Sequence, residues 1–101
     1  MPEAKPISSE QSSAPPAAVT PLTPAQDDTH KSNVVAATAT KQGSIASAIA
    51  TFHGGGTVAA MATSFKNADI AYHTSIVQSA AANGQPVPVG SFAVLHALGA
   101  L

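Results

Sequence analysis

Asp69 and His73 stand four residues apart in "FKNADIAYHTS", a spacing that puts both side chains on one face of a helix. A carboxylate beside an imidazole can form a charge pair or offer two ligands towards a metal ion. A metal site needs further donors, and the other histidines, His30, His53 and His96, fall in separate segments with no two histidines three or four apart. The expected state of Asp69 and His73 is therefore a surface ion pair, with no metal and no other cofactor. Acid–base catalysis by paired carboxylates needs a second acid near the first, and from Ser32 onwards Asp69 is the only one. Serines abound, but none sits in the strand–turn–helix elbow that exposes a nucleophile. A non-enzymatic protein is the expectation.

The second feature with chemical potential is "FHGGGTVAAM", which sets Gly54, Gly55 and Gly56 between two helical stretches. Glycines ahead of a helix can present N–H groups to a phosphate at the positive end of the helix dipole. No lysine follows as in a P-loop, and no strand precedes. The expected role is a turn, with Gly54 ending the first helix in the left-handed conformation and all three glycines acting as a hinge.

The elements that must hold these residues are helices. Residues 1–30 carry six of the eight prolines among Ser, Gln, Thr and Ala. Such a stretch buries too little apolar surface to offset its ordering entropy, so a disordered Pro/Ser-rich tail is expected over 1–30. Within it, "TPLTPAQDD" could enter a proline-reading groove. A small helical self-association domain is expected over 31–101. Ser32 or Asn33 is the expected cap of its first helix, whose stripe runs Val35, Ala39, Gln42, Ile45, Ile49 and Phe52. In the second helix, Val58, Met61, Phe65, Ala68, Tyr72 and Ile76 follow a 3-4 spacing that reads as a heptad seam for self-association. Thr57 can cap its start, and Asn83-Gly84 with Pro86 and Pro88 ends it. Ile70 and Val77 form a second apolar strip, so one partner helix cannot cover everything. "SFAVLHALGAL" then gives a short third helix capped by Ser91, with Phe92, Leu95 and Leu98 on one side; an extended "VPV" precedes it as a lesser option. The fold class expected is all-α, a helical hairpin with a short C-terminal helix.

Charge narrows the function. Only 9% of residues are Asp, Glu, Lys or Arg, the formal net charge is −1, and arginine is absent. Soluble domains ordinarily carry about 25% charged residues. Nucleic acid is therefore not an expected partner. No cysteine is present, so no disulfide can staple the roughly 70 residues available for a core, and a core of that size is marginal unless chains associate. The N-terminus, "MPEAKPISSEQSSAPPAAV", lacks the basic head and apolar run of a secretory signal. Imidazoles ordinarily titrate between about pH 5 and 7.5. Four added protons would take the formal −1 to +3. His53, His73 and His96 would then bring positive charge between packed helices that have few acids to offset it, making them candidates for a pH response.

"DDTHKSNVVA", an Ala-rich helix, "FKNADIAY" and "QSAAANG" resemble the short Reb-type R-body proteins of the "killing trait" family. Asp28, Asn33 and Val34 match that family's opening, Asn67 and Ala68 its middle, and Gln78, Ala80 and Gly84 its later part, while "DIAYHTS" replaces the family's glutamine run. The resemblance implies a subunit of a coiled proteinaceous ribbon in the bacterial cytoplasm that extends on acidification and can rupture membranes. Its partners would be itself and similar short helical chains. Two other readings stand beside it. One is a small membrane-active or secreted effector, using the uncharged Gln42–Phe65 or the apolar C-terminus for membrane contact. The other is a metal- or ligand-binding module built on Asp69, His73 and the glycine turn.

Overall fold

Thr23 and Pro24 start the first helix, and they do so with local chemistry alone. In this computed structural model, which describes residues 22–101, Thr23 is the N-cap of α1 (Pro24–His53). Its hydroxyl accepts the Gln26 N–H at 3.1 Å, and the Gln26 side chain accepts the Thr23 N–H at 3.0 Å. This reciprocal capping box satisfies two otherwise free donors, while Pro24 occupies the one helical position that loses nothing by lacking an N–H. The expected cap at Ser32 or Asn33 is thus corrected. Residues 24–30, placed with the tail by their composition, are the first turns of α1. Their polar residues carry no apolar stripe, so periodicity could not reveal them. The remainder of the expected tail, 1–21, lies outside the described residues.

The other two helices are α2 (Val58–Ala82) and α3 (Val89–Ala97), and the described residues hold no strand. The chain is all-α, a helical hairpin followed by a short helix. Thr57 caps α2 as expected, its hydroxyl accepting the Ala60 N–H at 3.0 Å. In the turn between α1 and α2 the left-handed residue is Gly55, at φ +107°, while Gly54 has φ −82°. That corrects the expected terminator by one residue: Gly54 still closes a helical bond to Ala50, and reversal begins after it. At the far end of α2, Gly84 takes φ +62° and the Gln85 N–H bonds the Ala80 carbonyl at 2.9 Å, the 6→1 bond of a Schellman ending.

α1 and α2 pack antiparallel, and α3 folds back onto α2 alone. Alanine and serine make the contact. The buried residues are Ala48, Ala68, Ala80 and Leu95, with Ser79 and Ser91. Side chains this small let helix axes approach to about 8 Å, the low end of the usual range. The Cα atoms occupy a slab 12 Å thick. In so thin an arrangement little can be enclosed from every side, and no large side chain among the described residues is fully buried.

Which side of each helix meets its neighbour differs partly from expectation. On α2 the seam Met61, Phe65, Ala68, Tyr72 and Ile76 runs along the side facing α1; Ala68 is buried, the other four half-buried, and Val58 exposed. The heptad is therefore closed by the chain's own first helix. On α1, Ile45 and Phe52 are half-buried as the stripe predicts, but Val35 is 70% exposed and Ile49 39%. The line that meets α2 is instead His30, Ala37, Lys41, Ala48 and Phe52. A close alanine contact outweighs a bulky valine that would hold the helices apart, so the true line is offset from the most apolar one.

Candidate functional site

Among the described residues the two buried polar ones are serines, and each bonds a histidine. Ser79 on α2 faces α1, where its Oγ lies 2.8 Å from His30 Nδ1 and accepts from Asn33 Nδ2 at 3.0 Å. Asn83 adds a bond from its amide to the Ser79 carbonyl at 2.9 Å, tying the end of α2 to the same residue. Ser91 on α3 faces α2, with its Oγ 2.9 Å from His73 Nδ1. The tautomer of each imidazole sets which partner donates. The sequence predicts Ser91 as the cap of α3. The helix instead begins at Val89 after Pro88, with no side-chain cap, and the serine hydroxyl is used between helices.

The expected Asp69–His73 pair exists, with His73 Nε2 3.5 Å from Asp69 Oδ1. The same oxygen accepts from Lys41 Nζ on α1 at 2.8 Å, a shorter contact that spacing along the chain could not reveal. Lys41 also lies 4.9 Å from the centroid of the Tyr72 ring, and Tyr72 meets His73 edge-on at 5.0 Å. A continuous chain of polar contacts therefore runs Lys41–Asp69–His73–Ser91 and joins all three helices. Lys41 and Asp69 are each about one-third exposed (32% and 33%), so solvent screens their attraction and leaves it worth at most about 1 kcal/mol. Serine, histidine and aspartate here contact one another in the order of a nucleophilic triad. Ser91 is only 8% exposed, wedged against α2, and a substrate carbonyl could meet its Oγ only if α3 lifted away. As it stands, the arrangement locks helices together.

Of the other expected histidine positions, His53 and His96 are exposed, at the ends of α1 and α3. The glycine turn uses its own donors. Gly54, Gly55 and Gly56 direct their N–H groups to the carbonyls of Ala50, Phe52 and Thr51 at 3.0–3.1 Å. None of these three N–H groups is left to cradle a phosphate. Among the described residues, no group of three or more His, Asp or Glu is placed to hold a metal ion. The uncharged run from Gln42 to Phe65 folds as the end of α1, the turn and the start of α2, and no helix among the described residues is long and apolar enough to cross a membrane.

A groove of about 480 Å³ runs along one broad side of the hairpin. Its walls are small: Ala36, Thr40 and Ser44 from α1, and Ala71, Ser75 and Ala82 from α2, with Lys41 and Tyr72 also lining it. On the opposite side, α1 carries the exposed Val35 and Ile49. No protein-family model, curated protein or solved structure matches this chain.

Proposed function

We propose that this chain is a non-enzymatic structural subunit that assembles with copies of itself and with similar short helical chains. The observation that carries the proposal is an unfinished core: among the described residues no large side chain is fully buried, while Val35, Ile49, Val58, Val87, Val89 and Phe92 stay exposed. Burial of apolar surface is the main favourable contribution to folding, and a small domain that leaves so much in water gains stability by association. Its near-neutral surface offers little repulsion against that. Open surfaces on two opposite sides of the hairpin allow growth beyond a closed pair, into a filament or ribbon. The resemblance to R-body proteins favours a ribbon inside a bacterium.

Acid would act on this assembly through the histidines. His53 and His96 are exposed, whereas His73 faces Asp69 on its own helix, Lys41 of α1 beyond it, and Ser91 of α3. A protonated imidazole donates from both nitrogens, so Ser91 could then only accept, and two cations would share one carboxylate. Sedimentation and electron microscopy of the full chain at pH 7.5 and pH 5 test the proposal. The expected result is a large assembly at pH 7.5 whose size or form changes at pH 5; a monomer at both values overturns it.

A second reading is supported by the exposed Val87, Val89, Phe92 and Leu101, all in the last fifteen residues, which could lie on a membrane surface. Leakage of liposomes caused by the monomer alone would favour that reading.

A further inference from the structure

Resting on the self-association reading above, we infer that the groove side of the α1–α2 hairpin is a dimer interface whose occupant is the same side of a second copy. Three of the four sides of α2 can be assigned a neighbour or none. α1 covers the side of Ser79, and α3 covers the side of His73. At 100° per residue, Ala71, Ser75 and Ala82 point about 160° away from His73 and Ala80, so α3 cannot shield them. This leaves the groove side uncovered among the described residues.

Area, charge and polarity together favour a second copy as the occupant. α2 has 25 residues and is therefore about 38 Å long, and two adjacent helices about 20 Å across give a face of roughly 750 Å². A standard stable interface takes about 800 Å² from each partner. The charge lining the groove belongs to Lys41, already paired with Asp69 at 2.8 Å, so two such faces meet without net repulsion. The hydroxyls of Thr40, Ser44, Tyr72 and Ser75 and the amide of Gln78 supply donors and acceptors in one surface, which is the self-complementarity a two-fold contact needs. A hydrocarbon ligand would leave them unpaired, and a polyanion finds no free cation in the groove. Small walls let the four helices of two hairpins close into a bundle.

The chain has no cysteine, so single cysteines report contacts cleanly. Ser75→Cys and Ala50→Cys, the latter on the outer edge of α1, are treated with a short bismaleimide as full-length protein. The expected result is a covalent dimer from Ser75→Cys and little from Ala50→Cys. Ser75→Arg should weaken the dimer at least about tenfold in sedimentation equilibrium while helical circular dichroism is kept. If Ser75→Arg also loses its helicity, the cysteine pair decides alone. Should the wild type associate while Ser75→Cys stays uncross-linked, this interface is wrong and self-association stands. Should the wild type remain monomeric at every concentration, self-association itself fails, and this inference with it.

Discussion

Replacing Ser79 with alanine removes one oxygen from the contact between α1 and α2. That oxygen bonds His30 Nδ1 at 2.8 Å and Asn33 Nδ2 at 3.0 Å; the third approach, from Asn83 Nδ2 at 3.5 Å, is too long to count for much. Two such bonds contribute about 1 kcal/mol each, net of the water they displace. Alanine returns about 0.5 kcal/mol through its higher helix propensity. The balance is a loss of about 1.5 kcal/mol, and water reaching the exposed Asn33 amide pulls it towards the low end. For a domain of this size about 1 kcal/mol moves Tm by 4–8 °C, so a fall of roughly 6–12 °C is expected. The assay is thermal unfolding by circular dichroism at one fixed protein concentration, because association would shift Tm by mass action. Thr63→Ala serves as the control: it lies exposed on the same helix and gains propensity without losing a contact, so its Tm should rise slightly. If Ser79→Ala matches that control, the hydroxyl does not join the two helices and Ser79 does not face His30 and Asn33.

Other substitutions test the remaining joints. Thr57→Ala removes the cap bonded to Ala60 and should cost about 1 kcal/mol, read as a lower urea midpoint. Among the turn glycines, Gly54→Ala should be nearly neutral, because its φ of −82° suits alanine and the nearest atoms lie at 3.5 Å. Gly55→Ala, at φ +107°, should cost about 1–2 kcal/mol. Gly56→Ala should also destabilise, because its Cβ would lie 2.9 Å from the Thr51 carbonyl oxygen, and the same melts rank all three. Leu95→Ala empties the 4%-exposed anchor of α3 and should cost about 2 kcal/mol or more. Hydrogen exchange should then speed up in α3 while α1 and α2 keep their protection.

The self-association reading and the packing of the hairpin make separate demands on the sequence. Alanine and serine along the inner side draw the helices close, and the same residue types on the groove side leave a surface a second copy can approach equally closely. A chain with few charges and no cysteine has little else to hold or repel its neighbours. Ser79 gives the hairpin its register, since sliding α1 past α2 by one turn would leave it and its partners unpaired in a part-buried site.

Much of the architecture can be read along the chain because its causes act over four residues or fewer. Thr57 beside Ala60, the glycine turn, Asn83-Gly84 and the two late prolines set helix ends through neighbouring backbone groups. The Asp69–His73 pair is equally local. The start of α1 has local causes too, in Thr23, Pro24 and Gln26, but a search for apolar stripes passes over a polar first turn. Side selection on α1 is a different matter. Where nearly every position is Ala, Ser or Thr, several stripes are almost equally apolar, and only the approach of a second helix picks the line through Ala37, Lys41 and Ala48 over the one through Val35 and Ile49. Ser79 finds its partners 46 and 49 residues away, and Lys41 reaches Asp69 across 28. Contacts at such separation leave no periodic trace in a sequence, because they exist only once the chain has turned back on itself.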